Sequence, residues 1–220
     1  MEPAQTLGIV EILGLAASAS LLAGWRLYLV VLATGLAMRS GMVPLPDHLA
    51  SLSVLANPWV LGVAAIGTLA EFFADKVMWL DSLWDTVHTL IRPVGGALLA
   101  LAIVDPSDPA MQVVAFLLGG GGALLAHGGK AGVRAAVNTS PEPVSNAVVS
   151  TAEDVVSVGL LWVVYEYPAA AAGVAVLLLA VAIGLVLLLR RVVKGLFGKT
   201  KPSGCGGLPL PQAGGGLVSP

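Results

Sequence analysis

Six runs of apolar residues, each close to or beyond the length that a helix needs to cross a bilayer, constrain this chain more than any other feature. A helix rises about 1.5 Å per residue, so roughly 30 Å of hydrocarbon asks for about 20 residues. The runs cover residues 7 to about 38, 59–75, 84–104, 110 to about 137, 144–165 and 169–189. Only 11% of the residues are charged and 57% are apolar, against about 25% charged in soluble domains. A water-facing surface cannot be assembled from such a chain, and the sequence predicts an all-α membrane protein with six transmembrane helices surrounded by the lipid bilayer.

Other classes fall away on charge and cysteine content. A net charge of −2 offers no basic surface for nucleic acid. The single Cys205 excludes a disulfide framework, a cysteine zinc site and an iron–sulfur cluster. No basic flank precedes the first run, which is therefore not read as a cleaved signal peptide. Residues 1–195 are expected to form one six-helix domain. Residues 196–220, rich in Gly and Pro, are expected to be a disordered cytoplasmic tail.

Orientation follows from the basic residues. With both termini cytoplasmic, Lys76, Lys130, Arg134, Arg190, Arg191, Lys194, Lys199 and Lys201 fall at inner ends, and Arg39 alone faces outward. The positive-inside rule favours that arrangement. The expected location is a cytoplasmic membrane.

Several runs carry residues that a simple anchor lacks. Glu71 and Asp75 stand one helical turn apart. Asp85, His88 and Arg92 repeat at i, i+3 and i+7. His127, Lys130 and Arg134 form a similar stripe, as do Asn146, Ser150, Glu153 and Asp154. Ionisable groups at membrane depth face a bundle interior or a water-filled cavity. Glu71, Asp75, Asp85, His88, Arg92, Lys130, Asn146, Glu153 and Asp154 are therefore the candidate ion- or substrate-binding residues. The plain alternative is structural pairing, for example of Arg92 with Glu71 or Glu153, and His88 reads first as a hydrogen-bonded interior histidine, with a proton carrier as the alternative.

The two halves show short correspondences. Thr68-Leu69-Ala70-Glu71 aligns with Ser150-Thr151-Ala152-Glu153, and Ser20-Leu21-Leu22-Ala23 with Ala123-Leu124-Leu125-Ala126. The first run of each half is interrupted, at Gly24-Trp25-Arg26 and at His127-Gly128-Gly129. Three helices per half would invert the second copy. The expectation is two inverted three-helix repeats, about 7–104 and 110–189, with the first helix of each broken, as in many secondary transporters.

The strings Glu71-Phe72-Phe73-Ala74-Asp75-Lys76, Asp81-Ser82-Leu83-Trp84-Asp85, His88-Thr89-Leu90-Ile91-Arg92-Pro93 and Asn138-Thr139-Ser140-Pro141-Glu142-Pro143, with Glu153-Asp154, resemble the bacterial membrane proteins of domain-of-unknown-function family 4126. That resemblance implies a fold but no activity. The paired acidic motifs are also similar to those of cation/proton exchangers built on inverted repeats, although the first pair is spaced one residue wider and its glycine is absent.

The functional expectation is a secondary transporter or channel for a small ion or small polar solute, proton-linked, through a central polar site. Two alternatives stand beside it: a membrane-embedded enzyme using Asp85, His88 and Glu71, and a scaffold with structural ion pairs. The enzyme reading is the weaker, because only His88 and His127 lie within runs and a metal enzyme needs clustered ligands with histidine prominent. No motif implies a cofactor, and the metal question stays open. Small-residue faces are compatible with a homo-oligomer.

Overall fold

The computed structural model describes residues 8–41, 47–104, 107–137 and 143–197. Six helices follow in order: α1 (Ile9–Arg39), α2 (Pro58–Ala74), α3 (Met78–Ile103), α4 (Pro109–Val137), α5 (Pro143–Glu166) and α6 (Pro168–Phe197). A 3₁₀ segment, Asp47–Ala56, precedes α2. Four helices begin on proline, whose missing N–H is no loss at a position that lacks an intrahelical acceptor. The Asn57 side chain accepts from the Trp59 amide at 2.9 Å and Asp108 from the Met111 amide at 3.0 Å, capping α2 and α4. Five helices are long and apolar enough to cross a membrane, and α2, at 17 residues, is shorter. The described part of the tail expected over 196–220 is helical through Phe197, and the rest lies outside the described residues.

The sequence places a break near Gly24, and the backbone breaks two residues later. Arg26 has φ −143° and ψ 73°, between two arms of α1, 9–25 and 27–39, that are otherwise helical. The contacts of the two arms show that α1 doubles back there. Ser20 donates to the Gly96 carbonyl at 2.8 Å while Leu27 lies against Gly95. Seven residues of a straight helix would separate those contacts by about 10 Å; here they meet neighbouring residues of α3.

The ends of α1 confirm the bend. Gly14 abuts Ala171 and Ala172, and Ser18 donates to the Ala171 carbonyl at 2.8 Å, at the start of α6. Gly35 abuts Leu55 and Leu61, and Arg39 donates to the Ala56 carbonyl, at the start of α2. α3 and α4 are antiparallel, with Gly119 against Ala100 and Gly96, and His127 against Thr89. α4 and α6 run in the same direction, with Gly129 against Ala182 and Gly132 against Leu189. The starts of α2, α4 and α6 therefore share one face, and both ends of α1 lie on it.

Two expectations are corrected. First, α1 does not cross the bundle as one span, because it turns at Arg26 and both of its ends lie on the face where α2, α4 and α6 start. The count of crossing helices is then odd, and the described ends, Gly8 and Phe197, fall on opposite faces rather than the same one. Below, these are the N-terminal face and the C-terminal face. Second, α4 is helical through Gly128. Gly129 lets the Ala182 and Leu185 side of α6 come close, so the glycine pair serves packing rather than a second break.

α1 is the hub, in contact with every other element. Its buried side chains are small, including Gly14, Ala16, Ser18, Ala19, Ser20, Ala23 and Gly24. That composition admits backbone-to-backbone approach where lipid supplies no hydrophobic drive between helices. A wide apolar surface remains on the outside, as a bilayer requires. Exposed Trp59, Trp162 and Tyr167 sit near the N-terminal face and Trp79 near the C-terminal face, where amphipathic rings are favoured at membrane boundaries.

Gly24→Ala should destabilise the protein by about 1–3 kcal/mol, because a Cβ there meets the backbone of Ala123. Gly121→Ala, with nothing within 4 Å of the added carbon, should leave thermal unfolding in detergent unchanged or slightly improved. In oriented membranes, cysteines replacing Ile9 and Gly195 should be labelled by an impermeant reagent from opposite faces; labelling from the same face would restore a crossing α1.

Candidate charge network at the α1 break

The break in α1 determines what surrounds it. Interrupting a helix exposes carbonyls at the end of one arm and N–H groups at the start of the next, with their partial charges. Lys130 of α4 donates from Nζ to the Trp25 carbonyl at 3.1 Å. The side chain of Arg26, 1% exposed, projects from the apex into a set of carboxylates. Its guanidinium pairs closely with Asp75 Oδ2. Nε lies 3.0 Å from Asp154 Oδ1, Nη2 3.5 Å from Glu153 Oε2, and Nη1 3.9 Å from Glu71 Oε1. Nη2 also donates to Ser150 Oγ at 2.8 Å and to the Ser150 carbonyl at 3.0 Å.

Three more cations complete the network. Arg92 of α3 donates to Glu71 Oε1 at 2.5 Å and to Asp85 Oδ1 at 3.2 Å. Lys130 Nζ lies 3.6 Å from Glu71, 3.8 Å from Asp75 and 3.8 Å from Glu153. Arg134 donates to Asp75 Oδ2 at 3.2 Å and to Glu153 Oε2 at 3.0 Å, and to the Asp75 carbonyl at 3.3 Å. Glu71, Asp75, Asp85, Glu153 and Asp154 thus face Arg26, Arg92, Lys130 and Arg134. Contacts converge on single oxygens. Asp75 Oδ2 serves Arg26, Lys130, Arg134 and the Ser150 hydroxyl, while Asp75 Oδ1 and Glu71 Oε2 are buried with no hydrogen-bond partner.

The two histidines within the helices differ in role. His127 Nδ1 lies 2.6 Å from Arg92 Nη1, and since arginine only donates, that nitrogen accepts. Nε2 therefore carries the hydrogen, facing the Asp85 carbonyl at 3.1 Å and Thr89 Oγ1 at 3.2 Å. His88 turns away from the network. Its Nδ1 donates to the Trp84 carbonyl at 2.7 Å, its Nε2 accepts from the Tyr28 hydroxyl at 3.1 Å, and its ring stacks on Trp84. The interior-histidine reading of His88 fits this geometry, and no contact links it to Glu71 or Asp85 as an acid–base group.

Seven of the nine candidate residues are therefore brought together: Glu71, Asp75, Asp85, Arg92, Lys130, Glu153 and Asp154. His88 is adjacent but directed elsewhere, and the side chain of Asn146 is outside the described residues. The nine candidates left out Arg26, His127, Arg134 and Ser150. Arg26 had a signal of its own, a charge in the middle of the longest apolar run, and His127 and Arg134 share the stripe of Lys130. Among the described residues no three His, Cys, Asp or Glu side chains are grouped to hold a metal ion.

Two hollows flank this centre. A polar cavity of about 190 Å³ lies between α3 and α4 near the C-terminal face, lined by Asp81, Asp85, Thr86, Thr89 and Arg134 among others. An apolar groove of about 550 Å³ lies nearer the N-terminal face, between the second arm of α1, the 3₁₀ segment, α2 and α3. Its lining includes Leu27, Val31, Trp59, Val63 and Leu98, with Tyr28 as its polar member.

A family model described as "Domain of unknown function (DUF4126)" matches residues 13–187. The match spans all six helices apart from the first residues of α1 and the end of α6, and the chain belongs to that family. No curated protein and no solved structure matches it.

Because Arg26 faces four carboxylates, Arg26→Met should cost about 3–5 kcal/mol by leaving buried anions unpaired. Adding Asp75→Asn should recover part of that loss, giving a favourable coupling in a double-mutant cycle read by thermal unfolding in detergent.

Proposed function

Membership of a family defined by a domain of unknown function brings no activity with it, and from the site we propose that the protein is a proton-linked secondary transporter or channel for a small ion or small polar solute. One observation carries this reading. On Glu71 and Asp75 one oxygen takes the ion pairs while the other is buried without a hydrogen-bond partner. A set of purely structural pairs would be saturated in hydrogen bonds, because each unsatisfied buried polar group costs free energy. Here lone pairs remain for a proton or a cation. Burial opposes the charged form of a carboxylate and neighbouring cations favour it, and such opposed influences let an acid gain and release a proton as its surroundings change.

The architecture lends support. A discontinuous helix that brings two half-helix ends to a polar centre within the membrane is a recurrent device of secondary transporters. Glu71 and Glu153, the acids that the inverted-repeat expectation relates, both lie within ion-pair reach of Arg26 and Lys130. With both ends of α1 on one face the two halves are not inverted copies, so the repeat reading, residues about 7–104 and 110–189, is not carried further, and the likeness to cation/proton exchangers rests on that juxtaposition of acids alone. The embedded-enzyme alternative has less to stand on, since His88 is turned toward Tyr28 and Trp84.

For orientation, Lys76, Arg190, Arg191 and Lys194 lie toward the C-terminal face and Arg39 toward the other. The positive-inside rule then puts the C-terminal face in the cytoplasm, of a bacterial inner membrane in this reading, and the start of α1 outside.

The test is proton flux into proteoliposomes, followed with an internal pH-sensitive dye under imposed gradients of Na⁺, K⁺, Cl⁻ and phosphate. Glu71→Gln and Glu153→Gln keep shape and remove titration. Each should reduce gradient-driven proton flux to the level of empty liposomes while size-exclusion profiles and melting stay normal. Normal flux in both variants would refute the central-site reading, and loss of folding in both would favour the scaffold with structural ion pairs.

A further inference from the structure

We propose that the polar cavity between α3 and α4 is the aqueous entry to the charge network from the C-terminal face, and that Arg134 is the gate between them. The proposal rests on the transport reading for its purpose, but not for its test. The walls of the cavity are shared with the network. Asp85 lines the cavity and binds Arg92. Thr89 lines it and meets His127. Arg134 lines it and holds Asp75 and Glu153. The guanidinium of Arg134, 1% exposed, thus stands between the hollow and two carboxylates, Asp75 and Glu153, that also meet Arg26 and Lys130.

The alternatives point the same way. The apolar groove on the N-terminal side carries no charged residue in its lining, so it offers nothing to replace the hydration of an ion. The α3–α4 cavity offers two carboxylates, Asp81 and Asp85, with the hydroxyls of Ser82, Thr86 and Thr89. That lining admits water and favours a proton or a small hydrated cation.

Arg134 suits a gate because acids lie on both sides of it. Asp75 and Glu153 hold it in the closed position seen here, at 3.2 and 3.0 Å. Asp81 on the cavity wall also attracts it, and its Nε is buried with no hydrogen-bond partner. A rotation of the side chain toward Asp81 and Asp85 would uncover Asp75, 0% exposed, to the cavity, without moving a helix. Behind the gate lies Ser150, 0% exposed and bonded to Asp75 and Arg26.

Accessibility tests this directly, using full-length protein with Cys205→Ser in oriented proteoliposomes and an impermeant cationic methanethiosulfonate reagent. Thr86→Cys and Thr89→Cys should react from the C-terminal face and not from the other. Leu98→Cys, on the same helix in the apolar groove, should stay unreactive. Ala135→Trp, which fills the cavity from its wall, should slow Thr89→Cys by roughly tenfold or more. Ser150→Cys should react slowly, and roughly tenfold faster with Arg134→Gln, as an open state that is minor in the parent becomes the common one. Should Arg134→Gln fail to fold, Arg134→Lys, which keeps the charge but loses the fork, should give an intermediate rate. Reaction of Thr89→Cys from the N-terminal face, or none at all, would overturn the entry. An unchanged Ser150→Cys rate in a folded Arg134 variant would overturn the gate. Labelling needs no transported solute, so a protein that moves no ions still decides the route, separately from the flux assay.

Discussion

A guanidinium at the turning point of a doubled-back helix is the interaction on which the rest of this structure depends. Burying the charge of Arg26 alone would be prohibitive: even lenient insertion scales give about 2.5–3.5 kcal/mol for arginine at a helix centre. The fold meets that demand with carboxylates from α2 and α5, which fixes where those helices run. Those carboxylates need further cations, and α3 and α4 provide Arg92, Lys130 and Arg134. Only α6 brings no charge to the centre. It acts through close packing, with Ala171 against Gly14 and Ala182 against Gly129. The charge at the apex and the small residues along both arms are thus two sides of one arrangement. The arms must approach their neighbours closely for the apex to reach its partners.

Much of this was legible in the sequence. Helix positions followed from run lengths, with boundaries mostly set by Pro58, Pro109, Pro143 and Pro168. The convergence of the stripes followed from the cost of leaving charges in lipid, and seven of nine proposed residues meet as expected. The doubling back of α1 did not follow, because hydropathy measures length and polarity but not direction. Its cue was an excess: 31 residues make about 46 Å of helix where about 30 Å suffices. Gly128 was misread for a different reason. A glycine next to polar residues looks the same in sequence whether it breaks a helix or admits a neighbour. Here His127 and Lys130 find partners on α3 and α1 while the backbone stays helical. The two histidines were beyond periodicity altogether. His88 and His127 both face inward, and what each ring nitrogen does is fixed by its partners, the Trp84 carbonyl and Tyr28 for His88, Arg92 and the Asp85 carbonyl for His127.

α3 divides the interior by chemistry along its own length. Its first turns carry Asp81, Asp85, Thr89 and Arg92 into the charged region, whereas Gly95, Leu98, Leu99 and Ala102 beyond them line an apolar groove. Between the two stands Gly96, whose carbonyl accepts from Ser20 and whose missing side chain lets α1 and α4 close in. That constriction separates the polar half from the apolar half with backbone rather than with bulky side chains, so neither half can be widened without moving α1.

The doubled-back α1 also constrains how the protein is made. Arg26 emerges from the ribosome before any of its partners, since Glu71, Asp75, Ser150, Glu153 and Asp154 all lie later in the chain. The glycine and alanine contacts that seat the two arms, on Gly96, Ala123 and Ala171, also come later. This segment can therefore reach its final contacts only once helices that follow it in the chain are in place. Until α5 is there, the arginine lacks part of the carboxylate socket that offsets its burial. The hub around which the helices pack thus depends on the chain that comes after it.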